Sequence, residues 1–239
     1  MPNFTVTGEI DPFLHVSLTK GERIYCESDA MVMMEQGLDL KGKMQGGVMQ
    51  SIMRRMANGE SFFQQNIEAV RDDGDCLLSP TLPGAMQVID VGSRQYKLCD
   101  GAFVAATSGV ELKTVTQGLG NALFAQSGGF FLMETSGQGK VVVSGFGSMF
   151  EIDVAPGKDV TIDNSHVVCW DSSVRYEISV TTAGSGGFGG IIGNLVNSAT
   201  SGEGIVLRFS GTGKVYICSR NRDAYLKYLR EKLMVGNNR

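Results

Sequence analysis

Ala30-Met31-Val32-Met33-Met34-Glu35-Gln36-Gly37-Leu38-Asp39-Leu40-Lys41 recurs as Ala102-Phe103-Val104-Ala105-Ala106-Thr107-Ser108-Gly109-Val110-Glu111-Leu112-Lys113. The glycine, the apolar residue after it, the acid, the leucine and the lysine stay in step. A weaker third copy spans Val167 to Ile178. Other segments recur in the same order. Gly84-Ala85-Met86-Gln87-Val88-Ile89-Asp90-Val91 matches Gly147-Ser148-Met149-Phe150-Glu151-Ile152-Asp153-Val154, and Ser136-Gly137-Gln138-Gly139-Lys140-Val141 matches Ser210-Gly211-Thr212-Gly213-Lys214-Val215. Gly120-Asn121-Ala122-Leu123 is echoed by Gly193-Asn194-Leu195. The spacings differ between matches, so loops vary in length while strands persist. Self-similarity of this kind is the signature of a fold built from stacked copies. The expected division is three copies, 1–86, 87–149 and 150–219, followed by a helix and tail over 220–239.

Each copy reads as strand, turn, strand. Leu18-Thr19-Lys20-Gly21-Glu22-Arg23-Ile24, Val91-Gly92-Ser93-Arg94-Gln95-Tyr96 and Val154-Ala155-Pro156-Gly157-Lys158-Asp159-Val160 are three versions of one turn. Val174-Arg175-Tyr176-Glu177-Ile178-Ser179-Val180 alternates apolar and polar, as a half-buried strand does. The pattern predicts a hairpin joining Gly204–Phe209 to Lys214–Cys218. Two helices interrupt the strands. Gly47–Met56 places Val48, Ile52 and Met56 on one face. Asp223–Val235 has Asp223 as N-cap, a Leu226/Leu229/Leu233 stripe and Gly236 as stop. That second helix suits a sheet edge or a neighbouring subunit; Lys227, Arg230 and Lys232 make a membrane surface the alternative.

Composition narrows the function. With 239 residues the chain can bury a large core unaided. A net charge of −4 argues against non-specific nucleic-acid binding, which needs a basic face. The 32 glycines against 5 prolines fit short strands with many tight turns. The five cysteines (Cys26, Cys76, Cys99, Cys169 and Cys218) are odd in number and form no Cys-x-x-Cys pair, which points to reduced thiols. The first residues carry no basic-plus-apolar leader, and a cytoplasmic location is expected. Thr114–Met133 and Ile178–Gly202 are uncharged and long enough to span a bilayer, but too rich in Gly, Ser, Thr and Asn to do so.

No motif assigns a reaction. His15 and His166 are the two histidines, fall in different copies, and lack the companion imidazoles a metal site wants. The two Gly-x-Gly-Lys stretches, ending at Lys140 and Lys214, lack the remaining P-loop residues and are followed by strands, so they read as turns. Asp72-Asp73-Gly74-Asp75 lacks the further ligands of a calcium loop. Arg54-Arg55 reads as the solvated face of a short helix. Gly187–Val196 would place apolar side chains on a glycine-rich loop, suited to a subunit, partner or membrane contact. No catalytic, cofactor-binding or metal-binding residue is assigned, and no cofactor is expected.

Several motifs occur in a fixed order along residues 18–222. They are Lys20-Gly21-Glu22, Asp29-Ala30-Met31-Val32-Met33, Arg54-Arg55-Met56-Ala57-Asn58-Gly59-Glu60-Ser61-Phe62-Phe63, Pro83-Gly84, Gly101-Ala102-Phe103-Val104-Ala105, Gly202-Glu203-Gly204 and Ser210-Gly211-Thr212-Gly213-Lys214-Val215. On these the chain resembles a family of uncharacterised bacterial proteins with a eukaryotic relative in mitochondrial biogenesis, named for altered inheritance of mitochondria. The resemblance implies the fold of the tryptophan RNA-binding attenuation protein, a short double-stranded β-helix whose units form rings. Three units per chain would then give a trimer. Where that family carries Gln-Thr-Arg, this chain has Cys218-Ser219-Arg220, so only the arginine is kept. The resulting expectation is an all-β chain of three such units with short helical insertions and a C-terminal α-helix. Its expected role is that of a non-enzymatic oligomeric binding or scaffold protein with a protein or membrane-surface partner. A small-ligand binder or enzyme with a pocket between repeats is the alternative, and an RNA-binding ring is disfavoured by the acidic charge.

Overall fold

A computed structural model describes residues 1–43, 64–115, 132–180 and 205–234. They are predominantly strand, with one C-terminal helix. The first seven strands are β1 (Asn3–Thr7), β2 (Phe13–Leu18), β3 (Arg23–Glu27), β4 (Met31–Met34), β5 (Leu38–Lys43), β6 (Gln64–Ala69) and β7 (Gly74–Leu78). The next six are β8 (Met86–Val91), β9 (Tyr96–Cys99), β10 (Phe103–Thr107), β11 (Val110–Val115), β12 (Leu132–Gly137) and β13 (Gly139–Ser144). The last six are β14 (Met149–Val154), β15 (Val160–Asp163), β16 (Val167–Asp171), β17 (Arg175–Val180), β18 (Ile205–Ser210) and β19 (Gly213–Cys218). A 3-10 turn, Asn164–His166, precedes β16, and helix α1 spans Arg222–Met234.

Four sheets result. Their strand orders are β1-β2-β7-β4, β5-β6-β3-β10-β13-β8, β11-β12-β9-β16-β19-β14 and β15-β18-β17. The pairings recur: β2 with β7, β8 with β13 and β14 with β19, all antiparallel. So do β4 with β7, β10 with β13 and β16 with β19, and in all three the register slips by one residue, at Val32, Val104 and Val168. A bulge of this kind bends and twists its strand.

Most short turns carry the chain from one sheet to another. The predicted hairpin at Ser210-Gly211-Thr212-Gly213 is corrected by this topology. β18 lies in the fourth sheet, while β19 lies in the third between β16 and β14. Gly211 and Gly213, with φ of 107° and 154°, turn the strand out of one sheet into the other. A Cβ on Gly213 would stand 2.6 Å from Val174 Cγ2 and 2.9 Å from Asp171 Cβ, so the corner has no room for a side chain.

The described residues divide into two compact units. The first holds Met1–Ser93, Gly101–Leu112 and Thr135–Ser144. Its core is formed by alternating inward residues such as Leu14 and Val16 of β2, Ile24 and Cys26 of β3, Ile67 and Leu78. Period-two alternation puts every second residue of a strand on the same face. The second unit holds Arg94–Asp100, Lys113–Glu134 and Gly145–Arg239. It is centred on Trp170, which is fully buried and meets Tyr176 and Phe209 edge-on at 5.3 and 5.5 Å between centroids. Aromatic rings favour this geometry because positive edges face negative π clouds.

The predicted Gly47–Met56 helix, with Arg54 and Arg55, lies outside the described residues, as does the Gly187–Val196 loop. The C-terminal helix is present, but Asp223 is not its N-cap. Asn221 is: its Oδ1 accepts from the Ala224 amide at 2.9 Å. Asp223 lies two residues inside the cap, in the first turn, where its charge meets the positive end of the helix. Of the predicted stripe, Leu226 and Leu233 are exposed, and Tyr225 packs its ring on Phe146 at 5.2 Å.

Candidate functional site

The polar side chains best suited to chemistry are occupied with one another. His15 and Asp75 lie on the adjacent strands β2 and β7, with Nε2 3.0 Å from Oδ2. The His15 and Ser17 side chains both bond Asp75 and hold its carboxyl below the usual range. The carboxylate therefore sits between serine and histidine. A nucleophilic serine needs the imidazole in the middle, so this trio cannot activate Ser17. His166 faces a backbone carbonyl, Nδ1 to Cys218 O at 2.8 Å. Among the described residues no group of three or more His, Cys, Asp and Glu is placed to hold a metal ion.

The lysines of the Gly-x-Gly-Lys corners point to carboxylates. Lys140 donates to Asp90 at 2.9 Å, and Lys214 bonds Glu151, with Asp153 at 3.5 Å. The Lys214 ammonium is the main cause of the lowered Glu151 carboxyl, and Glu151 in turn raises Lys214. Neither lysine is left to a phosphate. In the acidic run, Asp73 accepts from the Lys20 amide at 2.7 Å and Asp72 from the Asp73 amide at 3.0 Å. These carboxylates cap turns rather than converge on a cation. All five cysteines are buried and unpaired by disulfide. Burial pushes Cys26 and Cys76 up to about 12, which leaves them protonated and poorly nucleophilic. The first unit also carries an open cavity of about 340 Å³, bordered by Met1, Glu22, Arg23, Thr107 and Gln138. There the Met1 ammonium pairs with Glu22.

What distinguishes the molecule is a strand edge. β10 and β16 run inside six-stranded sheets, and all five residues of each are buried. β4 closes a four-stranded sheet, and no described strand pairs with its outer side. Val32 is 53% exposed and Met33 40%, although Val104 and Val168, at the same bulge, are buried. At the other end of the molecule's strand list, β15 is likewise an end strand with β18 on one side. Its sequence equivalents β3 and β9 are each flanked on both sides. An open edge presents a row of unpaired amides and carbonyls. The Met31–Met34 run was visible in sequence. Its exposure was not, because local pattern does not say which strand ends a sheet.

Residues 4–220 match the model of the family described as mitochondrial biogenesis AIM24. The chain belongs to the AIM24 family. An uncharacterised protein of Streptococcus pyogenes serotype M6 is 34% identical over 234 residues, covering 95% of this chain and 89% of that protein. An X-ray crystal structure of a Streptococcus pyogenes protein superposes with a TM-score of 0.76 at 31% identity, covering 97% of this AIM24-family chain and 100% of the other. The match thus extends over both compact units. No described helix is long and apolar enough to cross a membrane.

Proposed function

We propose that this chain is a non-enzymatic binding or scaffold protein that acts as a homo-oligomer in the cytoplasm, built from three short double-stranded β-helix units of the kind found in the tryptophan RNA-binding attenuation protein. The observation that carries the reading is the apolar strand β4, whose outer side no described strand pairs with and whose Val32 and Met33 are solvent-exposed in the single chain. An open, apolar edge is an association surface unless something covers it. The recurrent strand pairings support three units divided as 1–86, 87–149 and 150–219, and three such chains would make a trimer. Self-saturated ion pairs and protonated thiols favour binding over catalysis. Helix α1, with Leu226, Tyr228 and Leu233 exposed, offers a further face for a protein or membrane-surface partner. Light scattering on the full chain at micromolar concentration should give the mass of three chains; a monomer mass overturns the assembly.

A second reading, a small-ligand binder, is favoured by the cavity of about 340 Å³ in the first unit, since ligand pockets begin near 300 Å³. Native mass spectrometry would support it by detecting a retained small molecule. RNA binding is the weakest reading at net charge −4, and RNA mobility on a gel should be unchanged by the protein.

A further inference from the structure

We infer that the outer edge of β4 is filled by strand β15 of a second copy of this chain, antiparallel, with Met33 opposite Ile162, Met34 opposite Thr161 and Glu35 opposite Val160. The inference rests on the self-association reading and says which edges meet and in what register.

The chain itself supplies the template twice. The second sheet joins β5-β6-β3 to β10-β13-β8, and the third joins β11-β12-β9 to β16-β19-β14. In each, the junction is one antiparallel pair, β3 with β10 or β9 with β16. Among the described strands, the fourth sheet, β17-β18-β15, is the left half of such a sheet and stops at its junction strand. In the first sheet, β4-β7-β2 is the right half, also stopping at its junction strand, with β1 added beyond β2. Each half lacks what the other has. Pairing β15 with β4 of another copy gives β17-β18-β15-β4-β7-β2-β1, the order of the complete sheets with β1 as a cap.

The register follows from the two existing junctions. Ala105 faces Cys26, Ala106 faces Tyr25 and Thr107 faces Ile24 in one. Cys169 faces Leu98, Trp170 faces Lys97 and Asp171 faces Tyr96 in the other. The shared bulges equate Met33 with Ala105 and Cys169. On the opposing strand, Leu98 pairs with Met133, six residues before Gly139, and Ile162 pairs with Leu207, six residues before Gly213. Ile162 therefore stands where Leu98 does. The chemistry agrees, because exposed Met33 and half-buried Met34 face Ile162 and Thr161, both β-branched and uncharged, while Glu35 faces Val160.

Such a contact is head-to-tail. It uses different patches on the two copies, so it repeats, closing into a ring where the rotation between copies allows and growing as a filament where it does not. That polarity gives a test which a self-complementary contact fails. Met33→Lys blunts β4 and leaves β15 intact; Thr161→Pro blunts β15 and leaves β4 intact. Each variant alone should run as a monomer by light scattering, while an equimolar mixture should give a dimer of one of each, unable to grow. Association by Thr161→Pro alone would overturn the pairing in favour of β4 meeting β4. Wild-type mass in both variants would overturn it while leaving self-association standing, whereas a monomeric wild type removes the reading itself. If either variant fails to fold, judged by Trp170 fluorescence, the chain carrying both Met34→Cys and Thr161→Cys decides. On mild oxidation it should give a ladder of covalent multimers on a denaturing gel, and each single variant should not. Opposed residues of paired strands lie within disulfide reach. No ladder overturns the register.

Discussion

β4 and β10 show how one strand type fares with and without a second neighbour. Both follow a buried alanine, Ala30 or Ala102, both bulge at a valine, and both precede a turn into another sheet. β10 lies between β3 and β13 and is buried throughout. Among the described strands β4 pairs with β7 alone, and it exposes Val32 and Met33. Met31-Val32-Met33-Met34 is no less apolar than Phe103-Val104-Ala105-Ala106. Burial here is set by position in the sheet rather than by the strand's own composition. β16 repeats the point with larger residues, since Trp170 occupies the place of Met34 and is fully buried.

The largest difference is expected when Trp170 and Met34 are each truncated. Trp170→Ala should cost about 3–5 kcal/mol, as large aromatic deletions from a packed core do. It would remove the edge-on contacts to Tyr176 and Phe209. Met34→Ala, half-buried against the first unit's core, should cost about 1–2 kcal/mol in a chain held monomeric. Urea titration followed by circular dichroism measures both. Equal losses would mean that β4 is as well covered as β16.

A smaller difference should appear at the corners. Gly139 has φ of 150°, and a Cβ there would lie 2.1 Å from Thr107 Oγ1, the acceptor for the Lys140 amide. The corresponding Gly74 would meet the flexible Leu38 side chain at 3.0 Å and the Glu35 carboxylate at 3.4 Å, both far ends of movable side chains. Gly139→Ala should therefore cost about 2–3 kcal/mol, and Gly74→Ala about 1 kcal/mol. Thermal melts of the two variants should separate by several degrees, and coincident melts would remove the distinction between corner types.

These glycines mark where sequence reasoning succeeded and where it stopped. Ser136-Gly137-Gln138-Gly139 and Ser210-Gly211-Thr212-Gly213 were legible as turns because glycine tolerates positive φ. That they join different sheets was not legible, since a hairpin and a corner ask the same residues of the chain. The all-β class and the C-terminal helix followed from alternation and the leucine spacing. The N-cap was misplaced by two residues because Asn221 and Asp223 are both good caps, and only the geometry chooses. The β4 edge needed knowledge of pairing between residues as distant as Met33 and Leu77, which no local pattern carries.

The helix gives a milder contrast between two nearby side chains. Asn221→Ala removes the acceptor for the Ala224 amide and should cost about 1 kcal/mol of helix stability. Asp223→Ala removes a charge near the helix start and its exposed ion pair with Arg222 at 3.6 Å, together worth about 0.5 kcal/mol. Amide exchange in Ala224–Lys227 should accelerate more for Asn221→Ala, with the global melt nearly unchanged in both. Equal acceleration would restore Asp223 as the cap.

The least costly change concerns the ion pairs that bridge the outer strand pairs. Lys140 reaches Asp90 and Lys214 reaches Glu151, but at the matching place in β2 and β7 the sign is reversed, with Asp75 bonded to His15. These groups are partly exposed, so solvent screening keeps each pair at or below about 1 kcal/mol. Glu151 and Asp75 have carboxyls held below the usual range, by Lys214 and by His15 respectively. A carboxyl bound more tightly as the anion in the folded chain adds stability above its unfolded value, near pH 4. It loses that contribution as pH falls through its lower folded value. Lys214, raised by Glu151, works in the opposite direction and would lose its share only in strong alkali. Lys214→Met should therefore flatten the fall in unfolding free energy, from urea titrations, between pH 5 and pH 3 by about 0.5 kcal/mol, and leave the slope from pH 6 to 8 unchanged. Asp75→Asn should flatten the same acid limb. An effect centred near neutral pH in Lys214→Met would show that another group, not Glu151, holds the ammonium.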